Sequence, residues 1–229
     1  MCIRDRYAYI DGIGEAQKVM VEEISGSLVT IAKDVKIQIE FNPAEVTSYR
    51  LIGYENRMLA TKDFDNDKKD AGEIGAGHTV TAIYELVTTD KASGATASVP
   101  ANLKYQTADE EKVEEKEKVE TKSKLSSAAK TGELLTLALR YKQPEESESK
   151  RIEFTIKNDE KSFSSASEDF RFAASVASFG MLLRNSKHKG ETSSGEILDW
   201  ASVAIGKDDS GYRTEFLELV RKVGGISGR

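Results

Sequence analysis

Asp63, Asp65, Asp67 and Asp70 stand in one short loop, Asp63-Phe64-Asp65-Asn66-Asp67-Lys68-Lys69-Asp70, and are the side chains best spaced for chemistry. Carboxylates at alternate positions suit a hard cation such as calcium. An EF-hand loop also needs a glycine at its sixth position and a glutamate at its twelfth, and these places hold Lys68 and Ile74. Two lysines inside the loop weaken its field, and no helical pattern leads into it. The bland alternative is a solvated connection between strands. A calcium-stabilised domain using Asp63–Asp70 therefore stands as the alternative reading, with these four aspartates as weak metal candidates.

Gly72-Glu73-Ile74-Gly75-Ala76-Gly77-His78 has the glycines of a phosphate-binding loop but not its GK[ST] ending. A strand-like run follows it rather than a helix, so no helix dipole would face a phosphate. Glycines serving a tight turn explain it better. His78 and His188 are the two histidines and Cys2 the single cysteine, too few nitrogen and sulfur ligands for a zinc site. His188, in Lys187-His188-Lys189, reads as a helix-end cation favourable to the dipole. The chain has many serines but no G-x-S-x-G nucleophile elbow. No catalytic set emerges, so the chain reads as no enzyme and as lacking a cofactor of its own.

These residues must be held by the elements around them. Val35, Ile37, Ile39 and Phe41 alternate with Lys36, Gln38 and Glu40, the period of a strand with one buried face, stopped by Asn42-Pro43. Further strands are predicted over 46–54 and 79–87, and a hairpin over 134–141 and 152–156 joined by a long polar loop. An antiparallel meander of at least five strands would follow. Residues 12–26 carry Ile13, Ala16, Val19, Met20 and Ile24 at helical spacing, with acidic residues opposite. From Ser164 the period turns helical again. Ser165 or Ser167, then Ser193 or Ser194, are candidate caps, and Trp200 reads as core. The last helix is predicted to end at Gly224-Gly225.

Strands followed by helices predict an α+β fold, a sandwich-like antiparallel sheet with about three C-terminal helices. The 229 residues suffice to bury a core. A formal net charge of −6 without a basic face gives nucleic acid no electrostatic footprint. No apolar run approaches the roughly 20 residues that span a bilayer. Residues 109–124 are almost entirely Glu and Lys, a charged excursion or linker. Met1 to Arg6 resembles neither a signal peptide nor a helix start and reads as a non-native artefact.

Several longer strings carry a resemblance. They are Asp34-Val35-Lys36-Ile37-Gln38-Ile39-Glu40-Phe41-Asn42-Pro43, Tyr49-Arg50-Leu51-Ile52-Gly53-Tyr54-Glu55-Asn56-Arg57 and Asp70-Ala71-Gly72-Glu73-Ile74-Gly75-Ala76-Gly77-His78-Thr79-Val80-Thr81-Ala82. With Tyr7–Asp11, Arg140-Tyr141-Lys142 and Phe170–Ala174, they resemble the C-terminal half of von Willebrand factor type A domain-containing proteins of the YfbK type. The resemblance implies that residues 7–32 are the last strand and helix of an A domain. Residues 33–229 would be the C-terminal domain that follows, with strands over 34–160 and helices over 164–224. It implies a divalent metal in a D-x-S-x-S loop upstream, not on any residue here. It further implies a non-catalytic interaction or assembly role with protein partners, among them MoxR-type ATPase systems. A cell-envelope location, with a lipid anchor in a missing N-terminus, belongs to the same implication.

Overall fold

The first long strand, β1 (Thr30–Phe41), lies inside a four-stranded antiparallel sheet of order β3-β1-β7-β8, with β3 at Gly72–Gly75, β7 at Glu133–Lys142 and β8 at Lys150–Lys157. The computed structural model of the protein describes residues 9–22, 24, 29–54, 58–60, 63–88, 104–107, 124–159 and 161–227. The readings placed on Met1–Arg6, on Cys2 and on the charged excursion at 108–123 lie outside the described residues.

The β7–β8 hairpin forms as its alternation predicts, with Leu135 opposite Ile156, Leu137 opposite Phe154 and Leu139 opposite Ile152. The expected single meander does not form. After Asn42 the chain turns away from β1, and β2 (Val46–Ile52) pairs with β4 (Ile83–Thr88) in a separate ribbon, where Arg50 and Glu85 form an ion pair. A third ribbon joins β5 (Gln106–Thr107) to β6 (Lys124–Leu125). The glycine-bearing segment is strand and then turn. Gly72–Gly75 pairs with β1, and Gly77, at φ 76°, sits in a turn closed by the His78 N–H on the Gly75 carbonyl.

Asp34 breaks the regularity of β1. It adopts φ 52°, tolerable for a short polar side chain, and the register of β1 shifts there against both β3 and β7. The bulge aims its carboxylate sideways, where Oδ1 accepts the Ala71 N–H at 3.0 Å and Oδ2 pairs with Lys142 Nζ at 2.8 Å.

The N-terminal helical segment forms where its pattern places it, with a change of pitch along its length. α1 covers Ile13–Gln17 and runs into a π-type turn at Lys18–Glu22. Gly12 supplies no side-chain cap, and Ile13 and Met20 face solvent.

The chain divides into two compact units, the sheet with its loops through Asn158, and the segment from Asp159 onward together with Leu51–Gly53 and Thr81–Tyr84. In the second unit α2 (Glu168–Leu183) is capped by the Ser167 hydroxyl, which accepts the Phe170 N–H. α3 (Ser194–Ser202) carries a full capping box between Ser193 and Glu196. Phe179, Ile197 and Val220 form the helical core, and Trp200 packs edge-on to Phe163 at 5.7 Å.

α4 (Tyr212–Ser227) runs straight through Gly224-Gly225 instead of ending there. A Cβ on Gly224 would stand 2.9 Å from Ser194 Oγ, so the glycine serves a close approach of α4 to the start of α3. His188 also departs from expectation. α2 ends at Leu183 with no basic residue in its last turn, and His188 lies beyond it, in a turn where its N–H meets Ser186 Oγ.

Candidate functional site

The polar face of the four-stranded sheet is more covered, and its apolar face less covered, than the sequence suggests. In β1, Lys36 is 3% exposed while Ile37 is 50% exposed. On the polar face Lys36, Thr136 and Ala138 are buried, while on the apolar face Phe41 is buried, Ile39, Leu135, Leu137 and Leu139 are half-buried and Ile37 is exposed. Long-range contacts cover the polar face: two loops are tied onto it by hydrogen bonds and ion pairs.

The first tie is the acidic loop. Arg140 reaches Asp65 at 2.9 Å and Asp67 at 3.1 Å, and Lys142 donates to the Asp67 carbonyl at 2.9 Å. Lys36 donates to the Asn66 carbonyl, and the Ser149 hydroxyl donates to Asp67. Asp63 pairs with Lys69 at 4.0 Å. Phe64 is buried under the loop with the Arg151 guanidinium over its ring. The Ser149 hydroxyl, chiefly, holds the Asp67 carboxyl below its ordinary range, with Arg140 and Lys142 adding to it. Burial lowers the Lys36 ammonium, against the pull of Asp34 and Asp67. Of the four candidate aspartates, Asp65 and Asp67 thus face Arg140 of the sheet and Asp63 faces a lysine of its own loop. Among the described residues no three His, Cys, Asp or Glu side chains converge as a metal site.

The second tie centres on Tyr105, which is fully buried (0%). Both Glu40 oxygens accept backbone N–H groups, from Lys104 and Tyr105, at 2.8 Å each. The phenol donates to Glu133 at 2.9 Å and lies 2.7 Å from the Thr136 hydroxyl. Lys104 Nζ pairs with Glu133 at 2.7 Å and also reaches Thr136 and Thr155. Ser126 fastens the other side by donating to the Lys104 carbonyl at 2.6 Å.

Burial first, then the Glu133 and Glu40 carboxylates, push the phenol up to about 12, against the Thr136 hydrogen bond. Lys104 principally holds Glu133 below its ordinary range. Tyr105 stays neutral and Glu133 ionised through the neutral range, and the pair holds the 104–105 segment on β7. The cleft beside it, lined by Gln38, Glu40, Lys104 and Arg151 among others, has a volume of ≈ 190 Å³. Ligand pockets run to roughly 300–1,000 Å³ and are mainly apolar, so a small polar gap of this kind suits no drug-sized ligand.

These directions set the pH dependence of the fold. The raised phenol contributes stability that is whole below its unfolded value of 10.0 and lost as pH climbs through about 12. The depressed Glu133 contributes stability present above its unfolded value of 4.5 and lost as pH falls through its folded one. An ultraviolet tyrosinate titration should show one phenol ionising later than the rest, together with loss of sheet circular dichroism. A titration in which every tyrosine ionises near its unfolded value of 10.0 with the fold intact would contradict the buried network.

The same turn region holds Asn42, also fully buried. Its Nδ2 donates to the Ala129 carbonyl at 2.9 Å and the Glu133 carbonyl at 2.7 Å, and its Oδ1 accepts the Ala44 N–H at 3.0 Å. Strand-stop chemistry is legible at Asn42-Pro43, but its role as a staple between β1, β7 and the preceding turn is not. Tyr105 carries no sequence signal beyond being an aromatic in a polar stretch.

The open face is a grid of three rows, Phe41-Leu135-Ile156, Ile39-Leu137-Phe154 and Ile37-Leu139-Ile152, read across β1, β7 and β8. Phe41 is covered by Tyr49, whose ring centroid lies 4.3 Å away. Ile37, Ile152, Phe154 and Ile156 are exposed, Phe154 to 53%. A contiguous apolar area of this kind is what an interaction surface presents. Among the described residues no helix is long and apolar enough to cross a membrane.

Comparison with known proteins agrees with the strings quoted above. A family model described as "Uncharacterized protein YfbK, C-terminal" matches residues 26–226. The uncharacterized protein YfbK of Escherichia coli (strain K12) is 42% identical over 221 residues, covering 96% of this chain and 35% of the relative. The chain thus spans about a third of that curated relative's length. No solved structure matches it. On the family match across most of its length, the chain belongs to the YfbK C-terminal family.

Proposed function

We propose that this chain is a non-catalytic interaction module of a longer polypeptide, and that its open sheet face docks the region preceding it. The observation that carries the reading is the exposure of Ile37, Ile152, Phe154 and Ile156 on the apolar face of the sheet. Two further facts support it. The family model begins at residue 26, leaving α1 outside it, and the relative is much longer than the chain. α1 and the turn after it also expose Ile13, Met20 and Val21, side chains suited to packing on something else.

In this reading residues 7–32 are the end of a von Willebrand factor type A domain, and the preceding region is the rest of it. A divalent metal would be held there, in its D-x-S-x-S loop, and none of the residues described here would ligate it. Protein partners of the MoxR-type ATPase class and a cell-envelope location belong to the same proposal.

The test is binding in trans. The segment preceding this domain in the E. coli relative, expressed separately, should bind the chain in titration calorimetry. Ile37→Glu/Phe154→Glu should abolish the heat, because two carboxylates would be desolvated against an apolar partner. Absence of binding by the unaltered chain, or binding that the double variant leaves intact, would sink the reading.

A further inference from the structure

The edge of the sheet points to an occupant of its own, distinct from whatever covers its face. β8 is the last strand of the order β3-β1-β7-β8, and every residue from Lys150 to Lys157 is exposed. An edge strand offers a row of backbone donors and acceptors ready for another strand. β8 is eight residues long, contains no proline, and pairs with β7 over nearly its whole length. Natural edges are commonly guarded by charge. Here the charges are Lys150, Arg151, Glu153 and Lys157, and their order decides whether they guard or match.

Antiparallel neighbours directly opposite one another share a face of the sheet. For two copies of β8 related by a two-fold axis perpendicular to the sheet, residues of equal parity must therefore meet, and the axis must pass through a residue. Through Glu153, that carboxylate would face its own copy. Through Phe154, Arg151 would face Lys157 of the second copy, like charge against like. Through Ile152, Arg151 would face Glu153 of the second copy, but Lys150 would be set against Phe154 on the apolar face. Through Thr155, Glu153 faces Lys157 of the second copy twice over by symmetry. Thr155 then meets itself, and Phe154 meets Ile156 on the apolar face.

We infer that this chain forms a two-fold dimer by antiparallel pairing of β8 with β8 of a second copy, in the register centred on Thr155. The pairing joins the two sheets in the order β3-β1-β7-β8-β8-β7-β1-β3. It makes the two apolar grids continuous, doubling the docking surface while burying the strand edge. Cross-strand Thr–Thr, aromatic–aliphatic and opposite-charge pairs are each favourable contacts in such a ladder. Edge and face are separate surfaces, so failure of the dimer leaves the docking face standing, and the reverse holds too.

Sedimentation velocity of the full chain across the micromolar range tests it. The unaltered chain should be a dimer. Glu153→Lys sets an ammonium group against Lys157 of the second copy at both symmetric positions and should weaken dimerisation about tenfold or more. Its circular dichroism should be unchanged, since Glu153 is exposed and lies at the edge. Glu153→Lys/Lys157→Glu reverses both partners and should restore the dimer, which a merely misfolded variant could not do. A monomeric unaltered chain, a dimer indifferent to Glu153→Lys, or a double variant that stays monomeric would each overturn the assignment.

Discussion

Replacing Asn42 with alanine is expected to destabilise the sheet unit by on the order of 3 kcal/mol, and replacing it with aspartate by more. Asn42 satisfies two backbone carbonyls, of Ala129 and Glu133, and one backbone N–H, of Ala44, from a fully buried position. Alanine leaves all three without partners, and each buried orphan costs about 1–3 kcal/mol, less where water reaches it. Aspartate keeps the shape but sets an acceptor against two carbonyl oxygens. Its carboxyl must then be raised above the unfolded value, so the loss is largest above the folded value and shrinks as pH falls. Urea denaturation followed by far-ultraviolet circular dichroism at neutral and mildly acid pH would read both effects. An Asn42→Asp variant as stable as the unaltered chain would show that the staple does not hold β1 to β7.

Tyr105→Ala is the second large effect, about 3–5 kcal/mol, the usual range for deleting a buried aromatic side chain. The ring is wholly enclosed on the polar face, and its removal also leaves Glu133 and Thr136 short of a partner. Tyr105→Phe separates the contributions. It keeps the ring and loses the hydroxyl, and should lose only about 1–2 kcal/mol, because Lys104 still pairs with Glu133 at 2.7 Å. Phe should also remove the late-ionising phenol from the alkaline titration. If alanine and phenylalanine behaved alike, the packing of the 104–105 segment against the sheet would be refuted.

The elements of the fold were legible where periodicity is local. Val35 to Phe41, Leu135 to Leu139 and Ile152 to Ile156 alternate, and each is found within a strand of the four-stranded sheet. Ser167 and Ser193 cap helices, each one of the two serines that the sequence pattern offers there. The covered face was not legible, because alternation states that two faces differ and not which one is covered. That choice depends on Asn66, Lys104 and Tyr105 arriving from loops far along the chain, at contacts such as Lys104 to Glu40 and Lys36 to Asn66. A two-residue contact such as Lys104-Tyr105 leaves no period to detect. In sequence the acidic loop reads as a strand connection or a cation site. The structure makes it the counter-charge to Arg140 and gives Lys142 a backbone acceptor, a pairing visible in sequence only once the loop is known to cross β7. The Gly224-Gly225 pair carried a stop signal that tertiary contact overrides, since only a residue without Cβ fits against Ser194 without displacing it.

The central claim is that the apolar face of this sheet is an outward docking surface and not a core. The stability of Ile37→Lys/Phe154→Lys tests it most directly. Both side chains are half-exposed, so lysine, whose aliphatic stem can lie along the sheet, should change the unfolding free energy by less than about 1 kcal/mol. If the alternating residues instead pack a core, two buried ammonium groups would cost several kcal/mol or prevent folding. A urea midpoint within error of the unaltered chain is the predicted result, and a collapse of the transition would contradict the account.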